Sequence, residues 1–519
     1  MAAKNKTFYL TTAISYVNGA PHLGHAYEAI ASDALARFKR LDGFDVMFLT
    51  GTDEYGEKNA RTAAKAGIDP QVFVDGNTAK FQAMAGYLNI SNDDFVRTSE
   101  ARHHRASQAI WQKLVDAGEI FRGNYSGWYS VRDEAYFTED ELTKGEGGAF
   151  FAPSGAEVEW VEEDSYFFRL SHWADRLLQH FETHPDFIQP ASRRNEVISF
   201  VKSGLRDLSV SRRRLTWGIR VPGDDDHVMY VWLDALTNYI TGVGYPDVDS
   251  DKFVRYWPAD YHIIGKDIVR FHTVYWPAFL LAAGLALPKH VFCHGFLNIE
   301  GQKMSKSLGN VLAPRDMIDR YGLDPIRYFL LREVPFGQDG SFSHESIVNR
   351  INSDLANDLG NLAQRVLSMI AKNCGAQVPQ HGALEAADEA LLESAGALLP
   401  KVRDIIDTDL AFHNALAEIW RVVGDANRYV DTQAPWELKK TDPARMATVL
   451  YVLAETVRRL GILVQPFVPQ SAAALLDQLA VAADGRDFAA IDGDHRLTPG
   501  AALPKPQGVF PRYLDEAPA

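Results

Sequence analysis

The stretch TFYLTTAISYVNGAPHLGHAYEAIASDALARFKRLDGFDVMFLTG, residues 7–51, decides the fold class. Its opening TFYLTTAI (7–14) is a continuous apolar and β-branched run, the pattern of a strand buried on both faces. A Gly-Ala-Pro turn follows, after which Leu23, Tyr27, Ile30, Ala34, Phe38 and Leu41 recur at helical spacing until Gly43 stops the helix. The run DVMFLTG from Asp45 to Gly51 then reads as a second strand. Strand, helix and strand in this order open an α/β fold with a parallel, nucleotide-binding sheet, the first loop lying at its carboxyl edge.

Outward from this opening the texture changes. From about residue 116 to 225, Gly, aromatic and acidic residues make short alternating runs such as GNYSGWYSV and EVEWVEEDSYFFRL, which read as an inserted β-rich module. The runs HVMYVWLDAL and YHIIGKDIVRFHTVYWPAFLLAAG then resume the sheet. Beyond about residue 345 helical periodicity dominates, with Ile351, Leu355, Leu362, Val366 and Met369 on one stripe, and a helical bundle is expected. The tail from Asp484 is rich in Pro, Gly and Ala.

A chain of 519 residues exceeds the ~250–300 at which one core stops growing, so several domains are expected. Hydrophobic residues at 46% and charged residues at 23% exclude disordered and fibrous classes. No apolar run approaches the ~20 residues that span a bilayer, and MAAKNKTFYL lacks a signal peptide's apolar stretch. A cytoplasmic location without membrane partners is the expectation. Cys293 and Cys374 cannot build a disulfide framework and read as buried thiols. The net charge of −15 argues against a nucleic-acid partner when taken alone. Charge acts within a Debye length of ~8 Å, however, so a basic groove is compatible with it. Arg193-Arg194 and Arg212-Arg213-Arg214 are candidates for such a groove.

Two motifs carry chemistry. His22-Leu23-Gly24-His25 stands where the first loop enters the helix, so two imidazoles and unpaired backbone N–H groups are expected to face one point, which suits phosphate. Taken alone, it is better explained as a helix entry with one surface histidine. Far downstream, Lys303-Met304-Ser305-Lys306-Ser307 lies between Gly301 and Gly309 as a short loop with two ammonium groups, able to close over a polyphosphate.

PHLGH followed by KMSKS resembles the paired signatures of the class I aminoacyl-tRNA synthetases. TAISYVNGAPHLGHAY, YVWLDALTNYI and IIGKDIVRFHTVYWPAFL narrow the resemblance to the methionyl family, and similar segments extend to about Trp436. The resemblance implies a Rossmann-like catalytic domain in two halves (1–115 and 226–295), a connective insertion (116–225), a linking segment with the KMSKS loop (296–345) and an α-helical anticodon-binding domain (346–519). It implies ATP with Mg²⁺, L-methionine and tRNA(Met), the initiator included, as partners. His22, Gly24, His25, Gly265, Asp267, Lys303 and Lys306 would then bind ATP, His22, His25, Lys303 and Lys306 carrying the catalysis. Asp53 would take the methionine ammonium, and Ala13, Ile14, Tyr16, Trp232, Ala235, Leu236, Tyr239, Ile268 and His272 would line the side-chain cage. For Trp232 and Tyr239 simple core packing is the competing explanation. Ala13 stands where many relatives carry Pro, and Leu23 where Ile is common; both replacements are apolar and leave the reaction untouched.

On the helix starting near Ile347, Asn361 and Arg365 stand four apart beside the apolar stripe. With Trp436 in QAPWELKK they resemble the family's readers of the CAU anticodon, the indole being free to stack on a splayed base. No structural zinc is expected: where relatives place a C-x-x-C pair this chain has Ser130 and Asp133, leaving Trp128, Tyr136, Phe150, Trp160, Tyr166 and Phe167 to hold the insertion. Among rival readings, the insertion is short for the editing domain of a leucyl enzyme, and two distant cysteines cannot supply the thiolate ligands of a cysteinyl one. A tRNA-binding paralogue without catalysis would have damaged signatures, and both histidines and both lysines are present. The tail after residue 484 is too short for the extra C-terminal domain of dimeric relatives, so a monomer is expected.

Overall fold

A computed structural model of the chain describes residues 6–145, 148–299, 302–303, 312–491 and 495–514. Two compact units result, each discontinuous in sequence: Thr7–Pro21 with Met47–His294, and Met1–Lys6 with His22–Val46 and Gly295–Ala519.

The first unit is built on a seven-stranded sheet. Its strands are β1 (Thr7–Thr12), β2 (Ser15–Tyr16), β3 (Asp45–Asp53) and β4 (Asp94–Arg97), which the insertion's β5 (Ile120–Ser130), β6 (Ala135–Phe137) and β7 (Glu159–Phe168) separate from β8 (Ile188–Gln189). A short β9 (Leu208–Ser209) follows, and β10 (Tyr261–Gly265) and β11 (His290–His294) complete the sheet. Its order is β8-β11-β10-β1-β3-β2, with β4 also on β3. Parallel pairs set Leu10 opposite Tyr261, Ile264 opposite Cys293 and Tyr16 opposite Asp53. The strands expected at 7–14 and 45–51 are present, β1 ending at Thr12 and β3 running on to Asp53. Of the two runs expected to resume the sheet, only Tyr261–Gly265 joins it: Asp224–Met229 pairs in a separate three-stranded antiparallel sheet and Val231–Leu236 is a helix. Between β1 and β10 the strand order reverses, and at such a switch point the carboxyl ends open a ligand crevice. Ala13 leaves β1 there, and Gly265 ends β10.

One apolar core runs beneath this sheet, from Tyr9, Leu49 and Val96 to Trp111, Ile264 and Cys293. In the insertion β5 and β7 pair antiparallel from Ile120↔Phe168 to Tyr129↔Glu159. Phe168 anchors the base of this ribbon in the main core, while Ala152, Ala156 and Val158 form a small core of their own with Trp128 and Phe150. Trp128 meets Phe150 at 4.5 Å and Trp160 edge-on at 5.2 Å, and Phe121 stacks on Phe167 at 5.6 Å. Trp111 meets Tyr166 edge-on at 5.5 Å. The side chain of Tyr136 lies outside the described residues.

The second unit is helical. It contains α1 (Leu23–Leu41), α2 (Pro314–Tyr321), α3 (Asn361–Asn373), α4 (Leu398–Asp409), α5 (Phe412–Gln433), α6 (Pro435–Thr441) and α7 (Pro443–Val464), with shorter elements between. The helix preceding α3 widens to π-type turns over Ile351–Gly360. That widening re-phases the apolar stripe: Ile351, Leu355, Leu362 and Val366 are buried as expected, but Leu367 and Ile370 take the place expected for Met369, which is only partly buried. α1 is fastened within this unit at both its middle and its end. Asp33 pairs with Arg327 at 2.7 Å, both fully buried, Lys39 with Asp407 at 2.6 Å, and Arg403 Nε reaches both oxygens of Asp42 at 3.1 Å. A buried Arg458–Glu455–Arg459 cluster holds the late chain, Arg458 donating to the carbonyls of Ala490 and Ile491 and Glu455 accepting from Leu497 N–H.

Three expectations change. Cys293 is buried, but Cys374, just past the end of α3, is only half-buried. Arg212 is not part of a basic groove: it is buried, its guanidinium over the rings of Tyr129 and Tyr230. Arg213 pairs with Asp164 at 3.4 Å and Arg193 with Glu196 at 2.7 Å, so neighbouring carboxylates oppose those charges. Among the described residues no helix is long and apolar enough to cross a membrane.

Candidate functional site

In the helical unit, α1 begins on His22, whose ring takes the part of a capping side chain. Gly24 N–H donates to His22 Nδ1 at 3.1 Å, and His22 N–H donates to His25 Nδ1 at 3.1 Å. Two first-turn donors are thereby satisfied by imidazoles instead of hydroxyls or carboxylates. Because each Nδ1 accepts, each ring, when neutral, carries its proton on Nε2. The rings lie 3.9 Å apart. Gly24 is required by this geometry, since a Cβ there would lie 2.9 Å from His22 Cε1. A helix N-terminus is in general a place that receives phosphate.

In the sheet unit, the residues expected around methionine stand after β1 (Ala13, Ile14), on β2 and β3 (Tyr16, Asp53), on the helix Val231–Leu236 (Trp232, Ala235, Leu236) and on the short helical segments Asn238–Thr241, Lys266–Ile268 and Phe271–Tyr275 (Tyr239, Ile268, His272). The β2–β3 register sets Tyr16 opposite Asp53. Asp53 is 7% exposed, and its Oδ1 is buried without a hydrogen-bond partner. Burial, reinforced by the charges of Asp234, Glu134 and Glu54, holds its carboxyl well above the usual carboxylate range. A buried carboxyl oxygen with no donor fits an incoming ammonium, whose charge would favour its ionisation.

The residues expected to line the cage are mostly apolar or hydrogen-bonded to one another. Ala13 is held by its N–H to Ile263 C=O at 2.9 Å, and Ile14 follows it. Ala235 and Leu236 are buried, and Trp232 lies flat on Phe271 with ring centroids 3.7 Å apart. The Trp232 indole N–H is buried without a partner. Tyr239 donates to His272 Nε2 at 2.6 Å, and His272 Nδ1–H donates to the Ile268 carbonyl at 2.9 Å, which fixes the imidazole tautomer. Burial pushes the His272 pKa down to about 4, so the ring is uncharged at neutral pH. Tyr239 also stacks on His262 at 4.0 Å, where the Trp276 indole N–H reaches Nε2 at 3.3 Å, leaving Nδ1–H for Thr11 Oγ1 at 2.7 Å. Tyr239 belongs to the core cluster, as the competing explanation had it, and its hydroxyl is oriented by His272.

At the end of β10, Gly265 leaves room for a carboxylate, a Cβ there coming within 2.6 Å of Asp267 Oδ1, and Asp267 itself is exposed on the following short turn. Lys303 lies in a short strand, Gln302–Lys303, and its side chain is outside the described residues, as is the whole of Lys306. In the helical unit Asn361 opens α3 at the surface. One turn on, Arg365 pairs with Asp431 at 2.9 Å and stands over the ring of Trp436, 5.7 Å from its centroid. Trp436 is 41% exposed, an aromatic face left open beside a cation. In the insertion, Ser130 donates to Asp133 at 2.9 Å and Ser154 donates to the same carboxylate.

Sequence reasoning missed Phe271, the aromatic floor under Trp232, although it directly precedes His272. It also missed Glu134, 118 residues from the Tyr16 hydroxyl that it accepts at 3.0 Å, for which no local sequence signal exists.

Comparison with known proteins extends this geometry. The model of the family described as tRNA synthetases class I (M) matches residues 8–147 and 151–367, and that of the anticodon binding domain of methionyl tRNA ligase matches 378–519. The chain is 62% identical over 508 residues to the methionine–tRNA ligase of Brucella suis, covering 98% of each chain. It is 56% identical over 517 residues to that of Mycobacterium tuberculosis, covering 99% of each. The solved structure of the Mycobacterium tuberculosis methionyl-tRNA synthetase in complex with methionyl-adenylate superposes with a TM-score of 0.95 at 56% identity, covering 98% of this chain and 100% of that one.

Proposed function

This chain belongs to the methionyl family of class I aminoacyl-tRNA synthetases, and from that premise we propose how its residues divide the work. The reaction is ATP-dependent activation of L-methionine to methionyl-adenylate and transfer of the methionyl group to tRNA(Met), releasing AMP and diphosphate. A methionine carboxylate oxygen forms a bond to the α-phosphorus of ATP while the bond to the β-phosphate bridging oxygen breaks and diphosphate leaves. A terminal ribose hydroxyl of the tRNA then attacks the carbonyl carbon, and AMP leaves. The substrate supplies its own nucleophile, so the protein's contribution is alignment and stabilisation of charge developing on the phosphates.

The observation that carries the methionine assignment is the buried, unpartnered Asp53 oxygen beside the neutral cage. Asp53 takes the ammonium. Ala13, Ile14, Tyr16, Trp232, Ala235, Leu236, Tyr239, Ile268 and His272 surround a thioether that is polarizable and nearly apolar, for which an uncharged aromatic wall is the matching surface. His22 and His25 donate Nε2–H to the phosphate chain, Gly24 lets their backbone close up, and Gly265 and Asp267 hold the adenosine. Lys303 and Lys306 stabilise departing diphosphate. Mg²⁺ travels with the triphosphate, whose oxygens are the hard ligands it prefers.

Asn361, Arg365 and Trp436 read the CAU anticodon of tRNA(Met), initiator included, with Trp436 stacking on a base. The domain limits proposed are those drawn from the sequence, the insertion at 116–225 and the anticodon-binding domain from 346, although Ile188–Gln189 within 116–225 returns to the main sheet. The insertion needs no zinc, because Ser130, Asp133 and Ser154 satisfy one another by hydrogen bonds. The enzyme acts as a monomer in the cytoplasm, where charged tRNA is consumed. Methionine-dependent ATP–diphosphate exchange, measured with Asp53→Ala beside the unaltered chain, tests the reading. Exchange is expected in the unaltered chain and a sharply raised methionine KM in the variant, and an unchanged KM would remove Asp53 from the pocket.

A further inference from the structure

The helix Glu57–Ala66 starts on a glycine. Gly56 has φ 107° and offers no capping side chain, so its first-turn N–H groups must find acceptors elsewhere. Lys58 N–H donates to Glu134 Oε1 at 2.8 Å, and Asn59 N–H donates to the Tyr16 hydroxyl oxygen at 3.3 Å. That hydroxyl donates in turn to the same Glu134 oxygen at 3.0 Å. A side chain at position 56 is excluded, since its Cβ would lie 2.5 Å from the Tyr16 hydroxyl and 2.9 Å from Glu134 Oε1.

Glu134 itself sits between β5 and β6 of the insertion, 6% exposed and in the left-handed region at φ 47°, a costly conformation for a residue with a Cβ. Its second oxygen accepts from Tyr129, and its backbone carbonyl accepts from the Tyr230 hydroxyl. The Arg212 guanidinium covers both tyrosine rings, 5.1 and 4.3 Å from their centroids. Tyr230 is the residue on which the helix Val231–Leu236 begins, the helix that carries Trp232, Ala235 and Leu236. One residue of the insertion is thus bonded to Tyr16 through its side chain and to the head of the Trp232 helix through its backbone.

We propose that Glu134 is a positioning residue for methionine: it fixes the Tyr16 ring against the helix Glu57–Ala66 and tethers the Trp232 helix, setting two walls of the cage before the amino acid binds. The proposal rests on the reading that Tyr16 lines the methionine cage. A carboxylate suits the task because it accepts three donors at once, and the buried tyrosine hydroxyls around it are obliged to donate. Uniform loosening of the cage weakens methionine binding without touching the phosphate chemistry, so its signature is in methionine KM.

The test is steady-state exchange kinetics on the full chain for Glu134→Ala, Glu134→Gln, Tyr16→Phe, Tyr16→Ala and the double variant Tyr16→Phe/Glu134→Ala. In Glu134→Ala methionine KM is expected to rise about tenfold, the value of one hydrogen bond to a charged group, with ATP KM within about twofold of the unaltered chain. Glu134→Gln keeps an oxygen for Tyr16 and Lys58 and recovers much of that loss. The double variant is expected to be no worse than the more affected single one, because both remove the same contact. If the alanine variant does not fold, Glu134→Asp, one methylene short of Tyr16, gives the same split between the two KM values. Raised methionine KM in Tyr16→Ala with Glu134→Ala unchanged overturns the role of Glu134 alone. Unchanged methionine KM in Tyr16→Ala overturns the cage reading, and the proposal with it. Additive losses that fall equally on ATP and methionine also overturn it, by making Glu134 a fold-stabilising residue only.

Discussion

Tyr239 donates its hydroxyl to His272 Nε2 at 2.6 Å, and this bond requires the imidazole to be neutral, because an imidazolium has no lone pair to offer. Burial supplies that neutrality by lowering the His272 pKa to about 4. Between that value and the ordinary ~6.5 the unfolded chain binds a proton that the folded one refuses. Stability therefore falls as pH drops through this window and is level above it. Thermal melts from about pH 7 down to about pH 5 are expected to show a declining melting temperature, less steep in His272→Gln, whose amide still accepts from Tyr239. Equal slopes in the two proteins would remove His272 from the account.

For Asp53 the sign is reversed. Its raised pKa means that the folded state keeps a proton the unfolded chain releases, so stability falls as pH rises from the ordinary carboxylate value upward. At neutral pH the methionine-free protein bears this cost as the condition for holding an ammonium, and Asp53→Asn is expected to melt at a higher temperature. The same change should weaken methionine by roughly 10- to 100-fold, the equivalent of ~1.5 to 3 kcal/mol for a charge-assisted bond. Calorimetry and melts on one preparation check both; undiminished methionine binding refutes the assignment.

Lys306→Ala is expected to leave methionine binding nearly intact and slow adenylate formation strongly, since its charge matters most as diphosphate departs. Removing one preorganised interaction of this kind costs ~2.7 to 4 kcal/mol of barrier. Diphosphate exchange and equilibrium binding of methionine separate the two effects, and an unchanged exchange rate would sink this role.

The half-exposed Trp436, with Arg365 above its ring, should matter to tRNA and not to adenylate formation. Trp436→Ala is expected to weaken charging by ~1 to 3 kcal/mol, the worth of one base stacked on an aromatic ring. Methionine-dependent exchange should be unaltered. If exchange falls as much as aminoacylation does, the indole serves the fold instead.

In the insertion, Ser130 and Ser154 both donate to Asp133, a set without the soft thiolates that hold zinc in a knuckle. Chelator-washed protein with Mg²⁺ restored is expected to keep full activity. About one zinc per chain by metal analysis would prove this wrong.

What the sequence determined by itself was local or motif-borne. The apolar run of β1, the 3.6-residue stripe of α1, the shift to alternating strands near residue 116 and the helical texture after 345 are set by neighbouring side chains, so one chain suffices to read them. Its paired signatures also gave the family and its named residues. Re-phasing of the stripe by π-type turns at Ile351–Gly360 was not legible, because it depends on how each turn packs. Nor was the inward turn of Arg212, whose place in an arginine run suggested a surface. Only the tertiary structure decided that Tyr16 and Asp53 face each other in register, that Phe271 floors Trp232, and that Glu134 returns across 76 residues to cap a helix lacking its own cap. The physical reason is the same in each case: periodicity reports which face of an element is buried, whereas hydrogen-bond partners and pKa shifts arise from desolvated groups brought together by the path of the whole chain.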